Sequence, residues 1–115
     1  MKTTGNHDRI KEFAGAIVVC DTKGIILEMN DQAIKANQDA GGKKLIGTNL
    51  LDCQPEPSRS KVVQLLESQQ ANAYTIQKDG KKKLIHQTPW YKNGKYSGLV
   101  ELSLEIPRYH PAFPA

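Results

Sequence analysis

The stretch Ala16–Asn30, AIVVCDTKGIILEMN, constrains this chain more than any other. Ala16 to Cys20 is an apolar, β-branched run suited to a strand, and Ile25 to Met29 is a second apolar run. Between them, Asp21-Thr22-Lys23-Gly24 carries turn chemistry, with Gly24 supplying the positive φ that a tight reversal commonly needs. Asn30 then stands where its side-chain oxygen can cap a helix opening at Asp31. A hairpin running directly into a capped helix is a specific order of elements, and the rest of the chain must be arranged around it.

The elements on either side follow from local pattern. Asn6 to Phe13 reads as a short amphipathic helix with Ile10 and Phe13 on one side, and Gly15 releases the chain into the first strand. Asp31 to Gln38 is helical in pattern and stops at Gly41-Gly42. Leu45-Ile46-Gly47 is an apolar turn, and Asn49 to Cys53 is a brief helical turn. A longer amphipathic helix opens at Pro57 or Ser58 and runs to about Gln69, with Val62, Leu65, Leu66 and Gln69 down one side.

From Ala73 the period changes to two. Tyr74 and Ile76 share a strand face, Asp79-Gly80 marks a hairpin, and Lys83 to Tyr91 is the return strand. Pro89 within it must occupy an edge or a bulge, because it has no N–H to donate. Asn93-Gly94 is the strongest turn dipeptide. In the last strand Val100, Leu102, Leu104 and Ile106 alternate with Glu101, Ser103 and Glu105, which predicts one buried and one wet face. Pro107, Pro111 and Pro114 stop regular structure. The expected organisation is a loose start over 1–5, a single domain over 6–107 with its leading helix at 6–14, and a proline-rich tail over 108–115. The fold class is α+β, a five-stranded antiparallel sheet with short helices packed on one face.

A chain of 115 residues can bury one core without staples. Its apolar runs are too short to span a bilayer, and no signal peptide opens it, so no membrane association is expected. Cys20 and Cys53 are too few for a disulfide framework and lack metal-ligand spacing, which favours a reducing, cytoplasmic setting. The formal charge of +4 raises the question of nucleic acid, but Lys81-Lys82-Lys83 beside Asp79-Gly80 reads as a solvated hairpin tip. No motif or aromatic-basic interleaving supports nucleic-acid binding. His7, His86 and His110 form no Ser-His-Asp or Cys-His order, and no glycine-rich phosphate loop follows a strand. No catalytic residues and no metal ligands are expected, and the chain does not read as an enzyme.

The element order resembles the PAS sensory fold over roughly Asp8 to Pro107. The resemblance is carried by Asp21, Gly24, Ile26 and Asn30, by Leu45-Ile46-Gly47, and by the closing strand from Gly98 to Leu104. Leu51-Asp52-Cys53-Gln54-Pro55-Glu56-Pro57-Ser58 and Thr88-Pro89-Trp90-Tyr91 resemble a group of stand-alone bacterial PAS proteins that carry Cys-His-Pro-Glu-Pro-Ser at this place, with Gln54 here where those have His. The resemblance also permits a cofactor reading. Light-oxygen-voltage relatives place a reactive Cys in a Gly-x-Asn-Cys-Arg-Phe-Leu-Gln run, and this chain has Gly47-Thr48-Asn49-Leu50. Oxygen-sensing relatives carry an axial His on the central helix, and Arg59 to Gln69 contains none. The cofactor is therefore unknown, with flavin and haem both disfavoured.

Two functions fit such a domain. One is a sensor that binds a small molecule in its core cavity and signals in trans through protein contacts. Its expected pocket is Val19, Met29, Ile34, Leu50, Leu66, His86, Thr88, Trp90 and Leu102, if the Leu84 face of its strand points inward. The opposite parity would send Ile85, Gln87 and Tyr91 inside instead. The other is a ligand-free interaction module whose core is fully packed, in which these apolar residues only fill space. In both readings Ile10 and Phe13 present an apolar helix face to a partner, most simply a second copy in a homodimer.

Overall fold

A computed structural model describes residues 8–115. The expected loose segment at 1–5 and the opening of the leading helix lie outside the described residues. Five strands form one antiparallel sheet: β1 (Ala16–Cys20), β2 (Ile26–Met29), β3 (Asn72–Lys78), β4 (Lys81–Lys92) and β5 (Lys95–Ile106). Their spatial order is β2-β1-β5-β4-β3, so the last strand fills the centre beside the first. The helices are α1 (Asp8–Lys11), α2 (Asp31–Ala36) and α3 (Ser58–Ser68), with 3₁₀ turns at Gln38–Ala40, Gly42–Leu45 and Leu50–Cys53.

Asn30 does more than cap. Its Oδ1 accepts from Ala33 N at 3.1 Å, the expected cap, and also from Ile17 N at 2.9 Å. Its Nδ2 donates to Gly15 O at 2.8 Å and to Ile10 O at 3.1 Å. One buried amide thus ties α1, β1 and α2 together. Pro57 supplies no side-chain cap to α3. Glu56 takes that role, its Oε1 accepting from Ser60 N at 3.2 Å and from Ser60 Oγ at 2.7 Å, and these bonds hold its carboxyl below the usual range. Gln69 is exposed rather than on the buried side of α3, because it forms the left-handed C-cap with φ 58°.

Both expected hairpin turns are present, with Asp79-Gly80 and Asn93-Gly94 each at positive φ. Pro89 pairs with Leu99 on β5, while β3 ends at Asn72 opposite Gln87, so Pro89 has no β3 residue to serve. The bulge follows one residue later, between Trp90 and Tyr91.

The helices cover one face of the sheet in two clusters. Cys20 and Leu99 pack against Val62, Leu65 and Leu66 of α3, with Leu50 and Leu51 alongside. Ile26, Met29, Ala33 and Leu45 form the second cluster, joined by Ala16, Val18, Ile34 and Leu50.

The register corrects the expected faces of β5. Cys20 pairs with Leu99 and Val18 with Glu101, so Leu99, Glu101, Ser103 and Glu105 point towards the helices. Val100, Leu102, Leu104 and Ile106 lie on the outer face, half-buried. The apolar stripe is there, but it faces away from the helices. Outer-face Ile17 pairs with Leu102 and is itself buried, so the stripe makes a second apolar layer across the central strands.

Candidate functional site

The two helix-side clusters leave a cleft between them, above the middle of the sheet. Its floor is polar because three facing strands contribute polar residues at paired positions. Asn72 pairs with Gln87, and Gln87 pairs with Glu101. Asn72 Nδ2 donates to Gln87 Oε1 at 3.0 Å, and Gln87 Nε2 donates to Glu101 Oε2 at 2.8 Å. Gln87 is buried at 4% exposure, so this relay lies beneath the helices rather than on the surface.

Two chambers open above the relay. The larger, about 410 Å³, is lined by Val62, Lys61, Pro57 and Ser58 of the α3 region and by Asn72, Tyr74 and Gln87. This size falls in the range of small-molecule sites, about 300–1,000 Å³. The smaller, about 130 Å³, is lined by Val18, Ile26, Met29, Leu45 and Leu50 with Glu101 among them. Gln54 borders both chambers, at the position where the resembling bacterial sequences carry His. A different hollow of about 460 Å³ lies beside β2, lined by Lys11, Leu27, Met29, Asp31, Ile34, Lys43 and Ile46. Its rim carries the exposed Lys11–Asp31 ion pair, and Leu27 and Ile46 are themselves exposed, so it has the character of open surface.

Of the expected pocket residues, the structure brings Met29 and Leu50 to the cleft. Leu66 lies nearby but fills the α3 core, and Ile34 flanks the second cluster and the β2 hollow. Val19, His86, Thr88, Trp90 and Leu102 alternate to the outer face, away from the cleft. The reason is the parity set by Cys20 pairing with Leu99, which turns Ile85, Gln87 and Pro89 inward in place of their neighbours. Trp90 instead donates its Nε1–H to Cys20 O at 2.9 Å across Gly98 and clasps the end of β1. Gln54, Asn72 and Glu101 were missed as site residues, whereas Gln87 and Ile85 are the residues that the opposite parity sends inside. The readable signal was polar residues of one parity on what become adjacent strands.

Three groups here titrate unusually, the Tyr74 hydroxyl being raised by burial. Burial pushes the Cys20 thiol up to about 11, which makes it a core atom rather than a nucleophile. Burial also raises the Glu101 carboxyl above its usual range, partly offset by the Gln87 hydrogen bond. The folded protein therefore holds the Glu101 proton more tightly than the unfolded chain does. Stability falls as pH rises from the ordinary carboxyl range through the raised value. Glu101→Gln should increase the urea midpoint at about pH 7 and lose that advantage near pH 4, where the unfolded carboxyl is also protonated. Paired urea titrations at the two pH values check this.

No protein-family model and no curated protein matches the chain. Solved structures do. The PAS domain of the histidine kinase ThkA superposes with a TM-score of 0.61 at 23% identity, covering 78% of this chain and 97% of that one. The chain has a PAS fold. The dual PAS-heme oxygen sensor Aer2 from Vibrio cholerae matches at TM-score 0.60 and 15% identity, over 80% of this chain and 94% of that one. VqmA bound to DPO matches at 0.68 and 15% identity, over 92% of this chain but 58% of that one. Relative to the PAS frame, the cleft lies between the sheet and the helical segments that precede β3, with Leu50 in its wall. Among the described residues no group of three or more His, Cys, Asp and Glu is placed to hold a metal ion. No described helix is long and apolar enough to cross a membrane.

Proposed function

We propose that this PAS domain is a sensory module that binds a small molecule in the cleft over Asn72, Gln87 and Glu101 and passes the result to another protein in trans. The observation that carries the reading is the convergence of polar side chains on a concave site between helices and sheet, whose smaller chamber is mostly apolar and whose larger chamber opens to solvent past Pro57, Ser58, Lys61 and Tyr74. A core meant only to be filled would place apolar side chains there, since buried polar groups cost free energy even when satisfied. A ligand that wedges α3 and the Leu50–Cys53 turn away from the sheet favours one packing of the helices, and that shift is the signal. The structure of VqmA bound to DPO is a precedent for a ligand-bound protein that includes a similar fold.

Amide NMR with a fragment mixture tests the site. The expected result is a group of shifts at Leu50, Val62, Gln87 and Glu101. Shifts confined to Val100, Leu102 and Leu104 would overturn the site assignment.

A second reading, a docking module, is favoured by the outer face. Val19, Val100, Leu102, Leu104 and Leu84 form a half-buried apolar strip there. Phe13, 44% exposed, approaches this face beside Gly15 and Leu104. Self-association of two such faces as a homodimer is compatible with sensing and would provide its output surface. Leu102→Lys places a charge in the strip without touching the cleft. Sedimentation equilibrium should show a dimer for the wild type and at least a tenfold weaker association for the variant, as expected for about 1.4 kcal/mol or more of lost burial. Identical association constants would remove the outer face from the account.

A further inference from the structure

We infer that the ligand of this cleft carries a cationic or strongly N–H-donating nitrogen, and that the Glu101 carboxylate is the group that recognises it. The inference rests on the small-molecule reading above and specifies its chemistry. It follows from the direction of the relay. Glu101 accepts the Gln87 Nε2–H, which fixes Gln87 Oε1 towards Asn72, which in turn fixes Asn72 Nδ2 towards Gln87. Each internal bond uses one N–H of its amide and leaves the second outside the relay; the side-chain oxygens left over are Glu101 Oε1 at one end and Asn72 Oδ1 at the other. Neither has a partner among the described residues.

Charge points the same way. The ion pairs of the described residues are Lys11–Asp31 and Lys81–Glu105, and neither reaches Glu101. Cys20 and Tyr74, which interact electrostatically with Glu101, add no positive charge. No buried side-chain oxygen among the described residues lacks a partner, so Glu101 Oε1 is open to the cleft rather than sealed, a half-buried carboxylate with one side-chain hydrogen bond. A ligand cation would supply the missing partner, and apolar contacts with Val18, Ile26, Met29 and Leu50 would receive the body of a compact ring or chain. Lys61 lines the larger chamber, 3.5 Å from Gln64 Oε1, and Arg59 Nε donates to Gln54 O beside it; these cations would draw an anionic ligand instead.

Three matched probes on one ring separate these outcomes: benzylamine, benzyl alcohol and benzoate, each titrated into the labelled domain by amide NMR. The expected result is cleft shifts with affinity falling from amine to alcohol to benzoate. Glu101→Gln should weaken the amine by about tenfold or more while leaving the alcohol nearly unchanged, as for loss of one charge-assisted hydrogen bond. Glu101→Met, of similar length, substitutes if the amide variant folds poorly. Cleft binding with no preference for the amine, or a preference for benzoate, would overturn the donor inference and leave the small-molecule site standing. Absence of any cleft shift with all three probes would overturn both.

Discussion

Asn30→Asp is expected to destabilise the domain by about 3–5 kcal/mol, although it changes one atom and keeps the helix cap. The retained oxygen still accepts from Ala33 N and Ile17 N, but the new oxygen replaces an amide that donates to Gly15 O and Ile10 O. Two carbonyls would then face a carboxylate at a position only 3% exposed. Asn30→Ala should cost less, about 2–4 kcal/mol, because it leaves buried groups unpaired without adding a charge. The order of the two variants is the diagnostic. Urea unfolding at neutral pH should place Asp below Ala, and acidification should narrow the gap as the carboxyl regains a proton to donate. Equal midpoints would mean that the donor half of Asn30 contributes little.

Gly98→Ala should be comparably severe, about 3 kcal/mol or more, for a steric reason. Gly98 has φ 142°, and a Cβ there would drive into Cys20 O and come within 2.8 Å of Asp21 Cα. Both obstacles are backbone, where the chain leaves β1, so neither can swing aside. The same approach lets Trp90 reach Cys20 O, so the substitution would also break that hydrogen bond. Gly94→Ala is the control: φ is 79° but nothing lies within 4 Å, so only backbone strain of about 1 kcal/mol is expected. Thermal unfolding of the pair should separate them widely, with Trp90 fluorescence altered in the Gly98 variant alone. Matching losses would place the burden on φ rather than on the strand approach.

Those two residues also show what sequence can convey. Asn30 was readable as a cap because capping is local, three residues away; its bonds to Ile10 and Gly15 depend on α1 returning beside β1, which no short-range pattern records. Asp79-Gly80 and Asn93-Gly94 were readable because their positive φ requirements are intrinsic to the turns. The strands and the long helix were legible from their periods, and the PAS order from their sequence.

The candidate site was far less legible, and the bulge at Trp90/Tyr91 explains why. Lys92 pairs with Lys95 and Tyr91 with Tyr96; continued without interruption, that register would set Gln87 opposite Val100. The extra residue on β5 sets Gln87 opposite Glu101 instead and so creates the relay. A period of two shows that β5 has two faces, but it does not say which one the helices cover. Hydrophobicity suggested the wrong face, because this sheet is apolar on its outer side and partly polar under its helices. His86, Thr88 and Trp90 belong to the pocket only if the Leu84 face of β4 is inward, and the structure has the opposite parity, with Ile85 and Gln87 inside.

Native mass spectrometry most directly tests the claim that this cleft holds a small molecule. The protein would be examined as purified and after incubation with a small-molecule extract of its source cells, beside Gln54→Trp, whose indole would occupy both chambers. The account predicts a stoichiometric small molecule on the wild type, released on denaturation and absent from the folded variant. Bare wild-type protein under both conditions, or a bound molecule that Gln54→Trp retains undiminished, would contradict it.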